Sequence, residues 1–117
     1  MNQMYAHLLA DSELKVEIVK IQQQAYLGDA EAQYTLADIF QKGQDVARNT
    51  VNAFYWYQRA AKQGNLPAQF NVWYAYLTGE GIQANEQLAE KWYARATLKN
   101  SSSSESIITQ LIGTTIH

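Results

Sequence analysis

The chain contains no cysteine and only two histidines, and each scarcity removes a class of chemistry. Without thiols there is no disulfide framework, no thiolate metal site and no cysteine nucleophile. The histidines, His7 and His117, stand near opposite ends with no i,i+4 partner and no carboxylate at ligand spacing, so metal ligation and general-base catalysis have no footing. No apolar stretch approaches the ~18 residues of a membrane span. The basic residues form no run, and the net charge is -2 with a pI near 5.6, which gives no reason to expect nucleic acid as a partner. "TGEG" at 78–81 lacks the Lys-Ser/Thr of a phosphate loop. No catalytic residue, metal or cofactor is expected. The opening "MNQMYAHLLADSELK" has no basic segment before its apolar residues and does not read as a secretory signal; a cytoplasmic protein is the expectation. At 117 residues the chain fits one domain able to bury roughly 60% of its unfolded surface without staples.

What is present is a duplication. Gly28 recurs as Gly64, Ala32-Gln33 as Ala68-Gln69, Gly43 as Gly79, Asn49 as Asn85, Ala53 as Ala89, Trp56-Tyr57 as Trp92-Tyr93 and Arg59-Ala60 as Arg95-Ala96, always at an offset of 36. A fixed period of this size marks a repeat architecture. Within the first copy Ala32, Leu36, Ile39 and Phe40 fall at helical spacing and Gly43 ends the helix. Asn49 or Thr50 then caps a second helix with Ala53, Trp56, Tyr57 and Ala60 on one face, closed by Gly64. Each copy reads as an α-hairpin.

The run "FYWY" at 54–57 is sorted by the same geometry. At about 100° per residue, Trp56 and Tyr57 share the face of Ala53 and Ala60, Phe54 lies at its edge and Tyr55 points nearly opposite. In the second copy Trp92 and Tyr93 are kept while Phe54 and Tyr55 become Glu90 and Lys91. Trp56, Tyr57 and their counterparts are therefore expected to pack, and Tyr55 to be exposed, incidental or part of a contact surface.

The residues "AEAQYTLADIFQKGQDVARNTVNAFYWYQRAAKQG" and "LPAQFNVWYAYLTGEGIQANEQLAEKWYARA" resemble the Sel1-like repeats, relatives of the tetratricopeptide repeats. Their pattern is an A-Q pair, Leu-Gly, an aromatic, a G-x-G-V turn, an A-x-x-W-Y-x-x-A-A run and a closing Gly. The resemblance covers roughly residues 28 to 100 and implies an all-α, right-handed α-solenoid of antiparallel helix hairpins. This chain departs from the pattern where Ala37 and Trp73 follow the leucine position, and where the first turn reads Gly43-Gln44-Asp45. The expected organisation is one domain over 1–117: an N-terminal cap helix at 12–27, repeat 1 at 28–63, repeat 2 at 64–99 and a C-terminal cap helix at 101–117. Ser12 is the expected N-cap of the first element, with Leu14, Ile18, Ile21 and Ala25 on its face. In the last element Ile108 aligns with Val72 and Ile112 with Tyr76. Terminal caps keep the end of a stack from showing its apolar face to water.

One feature exceeds the needs of the fold. Ala68, Val72, Ala75 and Tyr76 form the expected core face of their helix, while Phe70, Trp73, Tyr74 and Leu77 make a second apolar stripe at i, i+3, i+4 and i+7. The matching positions in the first copy are Tyr34, Ala37, Asp38 and Gln41. Either Phe70 and Trp73 wedge against neighbouring helices, or the stripe holds a partner; Tyr74 and Leu77 fit the second reading. The resemblance implies that the first helices line a concave face on which relatives hold proteins. The candidate partner-binding residues are Tyr34, Tyr55, Phe70, Trp73, Tyr74 and Leu77. Acids outnumber bases over 1–47, and bases outnumber acids over 48–117, an asymmetry that can orient an encounter. The function expected is a non-catalytic module or adaptor, monomeric or weakly dimeric, that binds a protein. The alternative is a small bacterial immunity protein or antitoxin that neutralises a toxin or effector, and an enzyme comes third.

Overall fold

The computed structural model describes residues 15–100 as five helices joined by short turns: α1 over 15–26, α2 Ala30–Lys42, α3 Thr50–Lys62, α4 Leu66–Thr78 and α5 Glu86–Asn100. The described residues contain no strand. α2 pairs with α3 and α4 with α5 as hairpins, and α3 packs on α4 to join them. The architecture is an all-α solenoid. Ser12, Leu14, both histidines and the expected helix at 101–117 lie outside the described residues.

Polar caps set the helix starts. Asp29 Oδ1 accepts from the Ala32 amide, Asn49 Oδ1 from Asn52, Asn65 Oδ1 from Ala68 and Asn85 Oδ1 from Leu88, so each satisfies an otherwise orphaned donor. Of the two residues that could open α3, the cap is Asn49, and Thr50 is the first helical residue. The connections from α1 to α2 and from α3 to α4 are three residues long and close alike: the Asp29 amide donates to Gln24 O and the Asn65 amide to Ala60 O, across Gly28 and Gly64.

The turns inside the two hairpins share a left-handed residue at one position, occupied by different residue types. Gly81 has φ 85°, and a Cβ built on it would lie 2.2 Å from Thr50 O, because the second turn presses against the start of α3. Its counterpart Asp45 adopts the same left-handed region, with φ 62°, although it carries a side chain; Asp tolerates that conformation better than most residues.

The core is made of alanines and aromatics. Ala25, Ala53, Ala60, Ala61 and Ala68 are fully buried and let helices approach closely. Rings fill the spaces between: Tyr26 meets Trp56 edge-on at 5.0 Å, and Phe54 meets Tyr76 edge-on at 5.3 Å. Ile18 and Ile21 are half-buried, as the amphipathic reading of α1 requires. Phe54 is buried more completely than its place at the edge of the α3 face implies, because α4 covers it.

The two W-Y pairs are not equally buried. Trp56 and Tyr57 are each 4% exposed, whereas Trp92 is half-buried against the core and Tyr93 is 47% exposed. The difference lies in the neighbours: the Tyr26 ring covers Trp56, where the residue one period on is Lys62, and α4 lies beside Tyr57, whereas no described helix lies on that side of the second hairpin. The shared cation–π contact survives in both, with Arg59 5.1 Å from the Trp56 ring and Arg95 4.9 Å from Trp92.

Two outcomes follow for unfolding curves. Trp56→Ala is expected to cost about 3–5 kcal/mol, and Trp92→Ala about half of that, since less of its surface leaves water; equal losses contradict the difference in burial. Gly81→Ala is expected to cost at least ~2 kcal/mol from the left-handed backbone and the approach to Thr50 together, and a neutral result contradicts that contact.

Candidate functional site

The α4 sequence "LPAQFNVWYAYLT" carries no charged residue, so its uncovered surface is uncharged. The structure divides the second stripe. Phe70 and Trp73 lean toward α5, with ring centroids 6.3 and 5.4 Å from Tyr93, and both are half-buried. Tyr74 and Leu77 are 50% and 49% exposed. Trp73 occupies the place of the fully buried Ala37; its ring is accommodated by lying outward on Tyr93, which relieves the crowding that a large side chain would cause between α4 and α5.

Tyr74 borders a small cleft of about 20 Å³ where the two hairpins meet, lined by Gln41 of α2, Thr50, Phe54 and Tyr57 of α3, Asn71, Tyr74 and Ala75 of α4, and Glu80 of the second turn. Arg48 spans the hairpins beside it: its Nε donates to Gln41 O at 2.9 Å, and its guanidinium pairs with the Glu80 carboxylate. α2 and α4 thus lie side by side on one face. Tyr34 is half-buried there, 5.8 Å from Tyr57, and serves packing as much as surface. Tyr55 lies elsewhere. It is 51% exposed on the outer side of α3, edge-on to Trp56 at 5.0 Å, and its hydroxyl accepts from Arg59 at 3.4 Å. With Gln22, Tyr26, Leu36, Phe40, Asn52 and Trp56 it lines a separate groove of about 320 Å³ between α1 and α3. The six candidates therefore occupy three places: Tyr34, Tyr74 and Leu77 on the α2–α4 side, Phe70 and Trp73 toward α5, and Tyr55 on the outer groove.

The sequence reading missed an ionic brace on α2. The Asp38 carboxylate accepts from the Tyr57 hydroxyl at 3.3 Å and pairs with Lys42 at 2.9 Å. Burial, and then the Asp38 charge, push the Tyr57 hydroxyl well above its usual pKa, while the bond to Asp38 raises that of Lys42. An i,i+4 Asp-Lys pair was visible in the sequence; its tie to Tyr57 depends on the hairpin and was not. At the counterparts, Tyr74 and Tyr93 replace Asp38 and Tyr57, so an acid–phenol pair gives way to a ring cluster with Trp73. Among the described residues, no group of three or more His, Asp or Glu could hold a metal ion, and no helix is long and apolar enough to cross a membrane.

Because the folded Tyr57 holds its proton more tightly than the unfolded residue, its contribution to stability is intact below pH 10.0, the ordinary tyrosine value, and is lost above it, where the unfolded chain ionises first. Denaturation midpoints measured through the alkaline range are expected to fall more steeply for the native chain than for Tyr57→Phe. Parallel curves remove Tyr57 from the account.

A search of curated proteins found no match. Among solved structures, a Sel1 repeat protein from Oxalobacter formigenes is 33% identical with a TM-score of 0.68, over 69% of this chain and 33% of the other. A protective antigen present in uropathogenic Escherichia coli strains, displaying an SLR fold, is also 33% identical with a TM-score of 0.66, over 70% of this chain and 18% of the other. The chain therefore matches a third or less of the length of either. The Sel1 repeat family profile matches residues 30–65 and again residues 66–101, and with the hairpins, the A-Q pairs and the W-Y runs already in place, the chain belongs to the Sel1 repeat family.

Proposed function

We propose that the chain is a protein-binding module whose partner docks on the side formed by α2 and α4, with Tyr74 as its anchor and Leu77 beside it. The observation that carries this reading is the half-exposure of Tyr74 and Leu77 on a helix without charge, at positions where the first repeat has Asp38 and Gln41. Asp38 is engaged internally with Tyr57 and Lys42; Tyr74 is the same position turned over to an aromatic surface. Large rings at the centre of an interface carry a disproportionate share of binding energy. Arg48, Glu80, Lys42 and Gln41 provide the polar surround that such an anchor uses to exclude water and fix orientation. The family gives this reading its support, since repeats of this kind are generally protein-interaction scaffolds and not catalysts.

The test starts from a partner recovered with the native chain from its own organism, whose affinity is then measured against variants. Tyr74→Ala is expected to leave the thermal midpoint nearly unchanged and to weaken binding by at least ~2 kcal/mol, roughly thirtyfold. Should Tyr74→Ala unfold the chain, the residue belongs to the core. Unaltered affinity in a folded variant places the partner on another face, and Tyr55→Ala then tests the outer groove.

A further inference from the structure

The outer side of the second hairpin carries an open groove of about 430 Å³ lined by Trp73, Glu90 and Tyr93. One repeat earlier the same three positions are Ala37, Phe54 and Tyr57, all buried, and Phe54 is the ring that meets Tyr76 of α4 edge-on. Position 90 therefore carries an acid where the first hairpin carries a packing ring. An ionised carboxylate is costly to bury under an apolar neighbour, so this groove is chemically unlike the joint between α3 and α4. Its two rings stand 5.4 Å apart with their planes inclined at 50°, an open corner, and Glu90 lies on the same side of α5 as Tyr93, three residues before it. Glu90 is exposed and, among the described residues, makes no hydrogen bond or ion pair. The described basic side chains of α5 do not serve it: Arg95 lies 4.9 Å from the Trp92 ring and donates to Lys62 O, and Lys91 is one residue on, about 100° around the axis. Glu86, four residues back, adds a second negative charge to the same face and leaves that face short of a cation.

We infer that this corner receives an arginine side chain of a partner protein, its guanidinium laid against the Trp73 and Tyr93 rings and paired with the Glu90 carboxylate. Aromatic faces attract a cation placed within ~6 Å of the ring centroid, and the carboxylate supplies the opposite charge. Shape then chooses among cations. Two rings meeting at an angle do not make the closed cage that a quaternary ammonium fills, and a lysine ammonium is a compact, strongly hydrated charge. A guanidinium is flat and weakly hydrated, so it stacks on a ring while its N–H fork meets a carboxylate with two parallel bonds. The chain already uses this contact internally: Arg59 lies 5.1 Å from the Trp56 ring and 5.8 Å from the Tyr55 ring, and Arg95 lies over Trp92. At the outer corner the rings and the acid are in place without an arginine of their own. Three lining residues enclose too little of a free small molecule to hold it, so the arginine is one carried on a protein surface. The inference is independent of the α2–α4 reading, because it uses the α4–α5 side and a charged contact.

The experiment is an NMR titration of the full chain with the blocked peptide acetyl-Gly-Arg-Gly-amide, followed at the Trp73 indole N–H and the Tyr93 ring. Saturable shifts are expected at both. The same peptide with lysine is expected to bind at least about twofold more weakly, and the version with citrulline, which keeps the shape and lacks the charge, to give no saturable shift. Glu90→Gln, a change at an exposed position that leaves the fold in place, is expected to weaken the arginine peptide roughly twofold to fivefold. No saturable shift at Trp73 and Tyr93 overturns the inference. Equal binding of the citrulline peptide reduces the corner to an apolar surface and overturns it too. Lysine binding as tightly as arginine, or an unchanged affinity in Glu90→Gln, removes the guanidinium pairing and has the same effect. None of these results bears on the partner affinity of Tyr74→Ala, so the two proposals fail separately.

Discussion

The stack depends on a buried amide. Gln33 and Gln69 have no exposed surface, and each donates its side-chain N–H to the carbonyl eight residues before it, Ala25 O at 3.0 Å and Ala61 O at 3.1 Å. Those carbonyls belong to the last turns of α1 and α3, where each already accepts from the amide of the closing glycine, Gly28 or Gly64, at 3.0 Å, and the glutamine adds a bond from the next helix. A glutamine at the start of each first helix therefore completes the end of the preceding second helix and sets the distance between them. Leaving a buried amide unpaired costs about 1–3 kcal/mol, so a slipped register is penalised at once. Alanine at the accepting position, and alanine immediately before the glutamine, keep the backbones near enough for the bond; this is why the A-Q pair recurs as a pair.

The first tie is more complete than the second. Gln33 Oε1 accepts from Gln63 Nε2 at 2.8 Å, which draws the end of α3 onto α2, whereas Gln69 Oε1 has no hydrogen-bond partner among the described residues. The residue one period beyond Gln63 is Lys99, so the amide-to-amide link is not repeated. The first inter-hairpin joint is also reinforced from outside, by Asn65 Nδ2 donating to Glu31 at 3.2 Å and by Arg48 reaching Glu80. Both connect residues that the period places in different repeats.

Most of the fold was legible because its signals are local or periodic. Caps, closing glycines and the 36-residue offset each depend on a few neighbouring residues or on one repeated spacing, and Asn49, Gly43 and Gly64 do what their types and positions imply. Burial was less legible, because it is a property of neighbours. Identical letters at Trp56-Tyr57 and Trp92-Tyr93 have unequal exposure, since in a solenoid each hairpin is covered by its neighbours on either side. The same cause hid the burial of Phe54 and the Asp38–Tyr57 bond, and it split one apolar stripe of α4 into a half-covered part at Phe70 and Trp73 and an open part at Tyr74 and Leu77. Helical spacing gives an angle around the axis, and an angle does not say what stands opposite.

That division has a consequence for how such a module acquires a surface. Trp73 stands where the first repeat has a fully buried alanine, yet the ring lies outward on Tyr93 and leaves the inner packing to Ala68, Val72 and Ala75. The core face of α4 and its outer stripe are then separately variable: the amide tie, the alanines and the Asn65 cap hold the helix in place, while positions 73, 74 and 77 accept large apolar groups without disturbing them. α2 shows the opposite use of the same positions, with Ala37, Asp38 and Gln41 closing inward or pairing locally. One scaffold thus carries a self-satisfied helix beside an unsatisfied one, and only the second leaves apolar surface to gain from contact.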